Sequence, residues 1–164
     1  MPTKEAGKLT VAAQGEREIV MTREFKAPKT MLFEAWTKPE LVKRWLSGPE
    51  GWTLSLCEID LQVGGSYRYE WTHQNGNKMG MGGTYREVVP AEKIVATEKF
   101  DESWYPGGAI VTTTLTEHSG VTTVETKVTY DSKEARDGVL RSPMDKGVAA
   151  SYDRLENLLA TNFA

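Results

Sequence analysis

Few residues in this chain are spaced for acid–base or covalent chemistry. Glu58 and Asp60 sit two apart on one face of an expected strand, beside Glu50 and the Gly64-Gly65 turn. Two carboxylates so placed could hold a metal or exchange protons. No histidine lies near them in sequence and their spacing matches no metal-ligand pattern, so they read as a solvated strand end. His73 and His118 each border a hairpin turn, where side chains are mostly exposed. Cys57, in the run WTLSLCEID, has no base near it in sequence and reads as a buried or half-buried side chain. The GMGG stretch at 80–83 lacks the lysine of a phosphate loop and precedes no helix, so it reads as strand curvature. No G-x-S-x-G motif occurs. These patterns lead to no catalytic residue, no metal site and no cofactor.

A second set of residues is better suited to holding a molecule than to reacting with it. Tyr67, Tyr69 and Trp71 share one face of an expected strand, and Met79, Met81 and Tyr85 share one face of the next. Trp36, Trp45, Phe100, Trp104, Met144, Val148 and Tyr152 come from other elements. Singly, each reads as core. As a set they are less ordinary, because buried Tyr and Trp want partners for their polar atoms and Met adapts to irregular contents. Ligand pockets are mostly apolar, with a few placed polar groups. Thr112, Thr114 or Arg68 would supply such groups if they face inward. The loop Trp104-Tyr105-Pro106-Gly107-Gly108 either gates the mouth of a pocket or folds back on the sheet edge.

The elements that would position this set follow from periodicity. Residues 1–16 show no sustained period and are expected as a flexible tail, with a little added strand at most. REIVMTREFKA alternates as a half-buried strand and Pro28 ends it. Met31, Leu32, Ala35 and Trp36 recur at helical spacing. Thr37-x-x-Glu40 has the form of a capping box for a second short helix carrying Leu41, Val42, Trp45 and Leu46. Strands are expected at 52–61, 65–72, 79–89, 93–101, 109–117 and 121–130, joined by short turns that make neighbours antiparallel. Ser132 is placed to cap a short helix that Gly138 would end. Ser142-Pro143 opens a long helix on which Met144, Val148, Tyr152, Leu155 and Leu159 form one face. Gly147 on that helix would allow a close approach by a strand or a ligand.

Only one long amphipathic helix is available to cover the dry face of six or seven strands. The sheet must therefore curl around it, which leaves a cavity between them. This is an α+β helix-grip arrangement, β-α-α-β6-α, in a single domain over residues 17–162. Bulk properties agree with a globular chain: of 164 residues, 26% are charged and 39% hydrophobic, with a net charge of −3. No basic block occurs, so nucleic-acid binding is not expected. No apolar run reaches membrane-spanning length, and MPTKEAGKLTVAAQGE lacks the apolar region of a signal peptide. With one cysteine there is no intrachain disulfide. A cytoplasmic setting is expected.

The segments Ala35-Trp36-Thr37 with Pro39-Glu40 and Trp45, then Asp60, Gly64-Gly65 and Tyr67-Arg68, carry a family resemblance. So do Gly83-x-Tyr85-x-Glu87-Val88-Val89-Pro90 and the closing Tyr152-Asp153-Arg154-Leu155 with Leu158-Leu159. Over about residues 17–160 the chain resembles the START-like (SRPBCC, birch-allergen-like) superfamily. Within it, the chain is most similar to the activator of 90-kDa heat-shock protein ATPase homologue family. The resemblance implies the helix-grip fold but leaves the function open. Three readings follow. The first is non-enzymatic binding of a small hydrophobic or amphipathic ligand in the cavity. The second is a co-chaperone-like module whose partner is a heat-shock ATPase. The third is a cyclase- or hydrolase-type enzyme, which would need a polar pair inside the cavity. Monomer and homodimer both remain open.

Overall fold

The computed structural model describes residues 3–103 and 105–164. Among these, nine strands form one antiparallel sheet. They are β1 (Thr3–Ala6), β2 (Leu9–Gln14), β3 (Glu18–Phe25), β4 (Trp52–Ile59), β5 (Ser66–His73), β6 (Lys78–Val89), β7 (Lys93–Phe100), β8 (Ala109–His118) and β9 (Val121–Tyr130). The spatial order is β1-β2-β3-β9-β8-β7-β6-β5-β4. Four helices complete the chain: α1 (Lys29–Thr37), α2 (Pro39–Trp45), α3 (Lys133–Arg141) and α4 (Met144–Ala160). The sheet is open and curved, and α4 lies across its concave face. This is the α+β helix-grip fold.

The alternation along each strand sets which side is dry. On β9, Thr122, Val124, Thr126, Val128 and Tyr130 are buried, and on β3 Ile19, Met21, Arg23 and Phe25 are. Arg23 is a charged residue on a dry face. Its guanidinium lies 5.1 Å from the Phe25 ring centre and reaches Asp153 at 2.9 Å and Glu156 at 3.4 Å, both on α4. Curvature comes from bulges between Leu54 and Leu56 and between Tyr85 and Glu87. Gly83 permits close approach of the neighbouring strand, because a Cβ there would overlap the backbone oxygen of Thr97.

Four local expectations change. Residues 3–14, expected within a tail, form the β1–β2 hairpin, turning at Gly7 with φ +60°. Leu9 and Val11 of that hairpin are buried against the core. Lys4 donates to the Leu140 carbonyl and Lys8 pairs with Glu156 at 2.8 Å, so α3 and α4 hold the hairpin down. The capping box at Thr37 does not form. Thr37 still belongs to α1 and donates to the Phe33 carbonyl at 2.6 Å, while Lys38 takes the junction. Ser132 does cap α3, accepting from the Ala135 amide at 3.0 Å, but α3 runs through Gly138 to Arg141. Its buried face, Ala135, Arg136 and Val139, carries it past the glycine. Finally, no strand approaches Gly147: a Cβ there would meet no atom within 4 Å, and the residue lines a cavity instead.

Candidate functional site

A cavity of about 480 Å³ lies between the sheet and α4. That is within the range of small-molecule sites. Its walls come from α1 (Trp36), α2 (Val42, Trp45), the inner face of β5 (Tyr67, Tyr69, Trp71) and β6 (Met79, Met81, Tyr85). Phe100 closes the β7 side, and Met144, Val148 and Tyr152 form the α4 wall. The structure therefore brings twelve of the thirteen residues singled out from sequence to one cavity. The thirteenth, Trp104, lies outside the described residues. Pro49, Met79 and Gly147 are exposed members of the lining and mark its mouth.

Specific contacts hold the walls apart. Trp45 Nε1 donates to the Ala35 carbonyl at 2.9 Å, and its ring lies 4.7 Å from that of Trp36. Trp71 Nε1 donates to the Leu46 carbonyl at 2.9 Å, which ties β5 to the end of α2. Arg154 of α4 donates to the carbonyls of Trp45 (3.2 Å) and Gly48 (2.9 Å), fixing the loop at the mouth. Tyr152 is wedged against Phe25, Trp36 and Trp45, with ring centres 5.6–6.1 Å away. It is thus a packing residue as well as a lining one.

Sequence reasoning missed the polar lining. Thr113, Thr126 and Ser151 face the cavity; Thr112 and Thr114 do not. Arg68 also points away, paired with Glu70 and Asp101 on the outer face. Most consequential is Glu98 on β7, which lines the cavity. The residue is half-buried, and burial raises the pKa of its carboxyl to about 7. No hydrogen bond or ion pair reaches that carboxyl among the described residues. Tyr67, Tyr69, Tyr105 and Tyr130 lie close enough to feel its charge. Burial pushes these phenols far up, so they stay neutral. A signal for Glu98 was present: Ile94, Ala96 and Phe100 share its parity on β7, and all of them line the cavity.

The other candidates separate. Tyr105 is buried against Phe100 and Tyr130, so at that residue the 104–108 loop folds inward. His73 packs on Trp52 at the β5–β6 turn, and His118 is exposed at the β8–β9 turn, the opposite end of the sheet. Glu58 and Asp60 are exposed, and no metal-binding group of side chains exists among the described residues. Cys57 is buried and its thiol pKa is pushed up to about 11 by burial, which keeps it protonated. Among the described residues, no helix is long and apolar enough to cross a membrane.

Comparison with solved structures places the fold among known proteins. A Rhodobacter sphaeroides protein is 28% identical with a TM-score of 0.89, covering 94% of this chain and 99% of that one. A Chromobacterium violaceum protein is 30% identical with a TM-score of 0.75, covering 87% and 96%. An AHSA1-like protein from Aeromonas hydrophila, 16% identical with a TM-score of 0.69 over 88% and 95%, shares the fold. Among curated proteins none matches. The family model described as "Activator of Hsp90 ATPase homolog 1-like protein" matches residues 26–160, the span that builds every wall of the cavity except Met21. The chain belongs to that family, within the START-like superfamily.

Proposed function

We infer that the chain binds a small apolar or amphipathic molecule in the cavity under α4 and does not transform it. The observation that carries this reading is about 480 Å³ of space walled by Tyr, Trp and Met from seven elements and the loop before β8. A well-packed core has few voids larger than a water molecule, so a space of this size argues for an occupant. The enzyme reading would need a second proton carrier hydrogen-bonded to Glu98, and no hydrogen bond joins its carboxyl to another side chain among the described residues. The co-chaperone reading draws its support from the family description. Co-purification of a heat-shock ATPase would favour it. The lone cysteine, buried and protonated, suits a cytoplasmic setting.

Gly147→Trp tests the binding reading without harming the fold. A Cβ at Gly147 meets no atom within 4 Å, and replacing a helical Gly with a better helix former gains a few tenths of a kcal/mol or more. The indole would project over the mouth. The expected result is at least a roughly tenfold loss of affinity for a neutral apolar fluorescent probe such as N-phenyl-1-naphthylamine, or about 1.4 kcal/mol. The melting temperature should be unchanged or higher. Unchanged probe affinity would count against a site inside the cavity.

A further inference from the structure

Glu98 gives the cavity a chemical preference. It is the only Asp, Glu, Lys, Arg or His among the described lining residues. An ionised carboxylate enclosed in protein without a partner is costly, and pairing with an opposite charge relieves that cost. Glu98 shares the cavity lining with Tyr67 and Tyr69 on β5, Tyr105 before β8 and Tyr130 on β9, whose phenols lie within reach of its charge. Aromatic faces attract cations, and rings grouped around an anion form the chemistry that recognises ammonium groups. The small neighbour Ala109, its register partner on β8, keeps space free on one side of Glu98.

We propose that the cavity selects amphiphiles bearing a cationic amine, with Glu98 as counter-ion and the tyrosine rings as the cage around the ammonium. The proposal rests on the ligand-binding reading above. The apolar body of such a molecule would lie along Met81, Trp71 and the α4 wall, toward the mouth. An anionic amphiphile is disfavoured, because its head would meet a like charge or have to displace it.

The groups facing Glu98 settle the pH dependence. Those on β5, β6, β9 and the loop before β8 are tyrosines that stay neutral, and β8 adds only Val111 and Thr113. The α4 wall offers Ser151 and Tyr152, and α2 offers Val42 and Trp45, none of them charged. Glu98 alone therefore titrates near neutrality within the cavity. The ionised fraction rises from about a tenth at pH 6 to about nine-tenths at pH 8. An alkylamine, like Lys, stays protonated throughout this range. Amine affinity should rise about tenfold over those two pH units.

The test uses three probes of one chain length, decylamine, decanol and decanoate, titrated into the intact protein by calorimetry at pH 6 and pH 8. The expected order at pH 8 is amine, then alcohol, then carboxylate, with the amine at least about tenfold tighter than the alcohol. Glu98→Gln should remove the amine's advantage over decanol and its pH dependence. Equal affinity for all three probes would overturn the amine proposal and leave the cavity reading standing. An amine preference that survives Glu98→Gln would overturn Glu98 as the counter-ion. Failure of every probe to bind would overturn both readings. The wild-type probe series needs no variant, so it can refute the amine proposal independently of Glu98→Gln.

Discussion

Glu98→Gln should make the folded protein more stable by about 3 kcal/mol at pH 8 and leave it nearly unchanged at pH 4. The reason is the cost of ionising an enclosed carboxyl. In the unfolded chain Glu98 titrates near 4.5, and in the folded protein near 7. Below pH 4.5 both states hold the proton. Between pH 4.5 and 7 the unfolded chain has released it and the folded chain has not, so stability falls as pH rises. Above pH 7 both are ionised and the full cost remains. The amide has no proton to lose, so this slope should vanish in the variant. Asp101, Asp137 and Glu156 are held below their usual ranges by Arg68, by Lys133 and Arg136, and by Lys8 respectively. Their contributions are lost only as pH falls through the acid range, so they do not mask the window from pH 5 to 8. Urea unfolding at half-unit steps across that window measures the effect. Parallel curves for the two proteins would mean that Glu98 is solvated and carries no raised pKa.

Trp45→Ala should cost about 3–5 kcal/mol, a large part of the stability expected for a chain of this size. Trp45 is 2% exposed, donates to the Ala35 carbonyl and packs against Trp36 and Tyr152. Its loss would open a void continuous with the existing cavity and leave a buried carbonyl without its donor. Trp45→Phe keeps a ring and loses the hydrogen bond, so it should recover much of the difference. The shift in urea midpoint at constant slope reports both. A cost under about 1 kcal/mol for Trp45→Ala would show that the helix pair is loosely seated. The geometry at the α2 end of the cavity would then need revision.

The elements that read clearly in the sequence were those with strong periods. The strands from Trp52 to Tyr130 and the helix over Met144–Ala160 emerged within a few residues of their bounds, because alternation and the three-to-four spacing are local properties. The β1–β2 hairpin was hidden for the converse reason. Leu9, Val11 and Ala13 alternate, yet the stretch is short and its small residues bury well only once β3 and the helices are in place. Thr37 carried a capping pattern, but its hydroxyl found the Phe33 carbonyl four residues back. The aromatic and methionine lining was legible from strand faces. Glu98 was not recognised because a lone carboxylate in a Lys-Glu-rich strand looks solvated, and only the parity of Ile94, Ala96 and Phe100 turns it inward. No sequence pattern fixes the volume of the cavity, which depends on how far the sheet bends away from α4.

Methyl NMR of methionine tests the central claim, ligand binding inside the cavity, most directly. The chain has six methionines, and four of them, Met21, Met79, Met81 and Met144, line the cavity; Met31 does not. With [¹³C-methyl]methionine protein and decylamine added at pH 8, the Met21, Met81 and Met144 methyl signals should shift together and saturably. They should also show contacts to the ligand chain, while Met31 stays in place. Shifts absent from those three methyls, or confined to exposed Met79, would place any binding on the surface and contradict a ligand held between the sheet and α4.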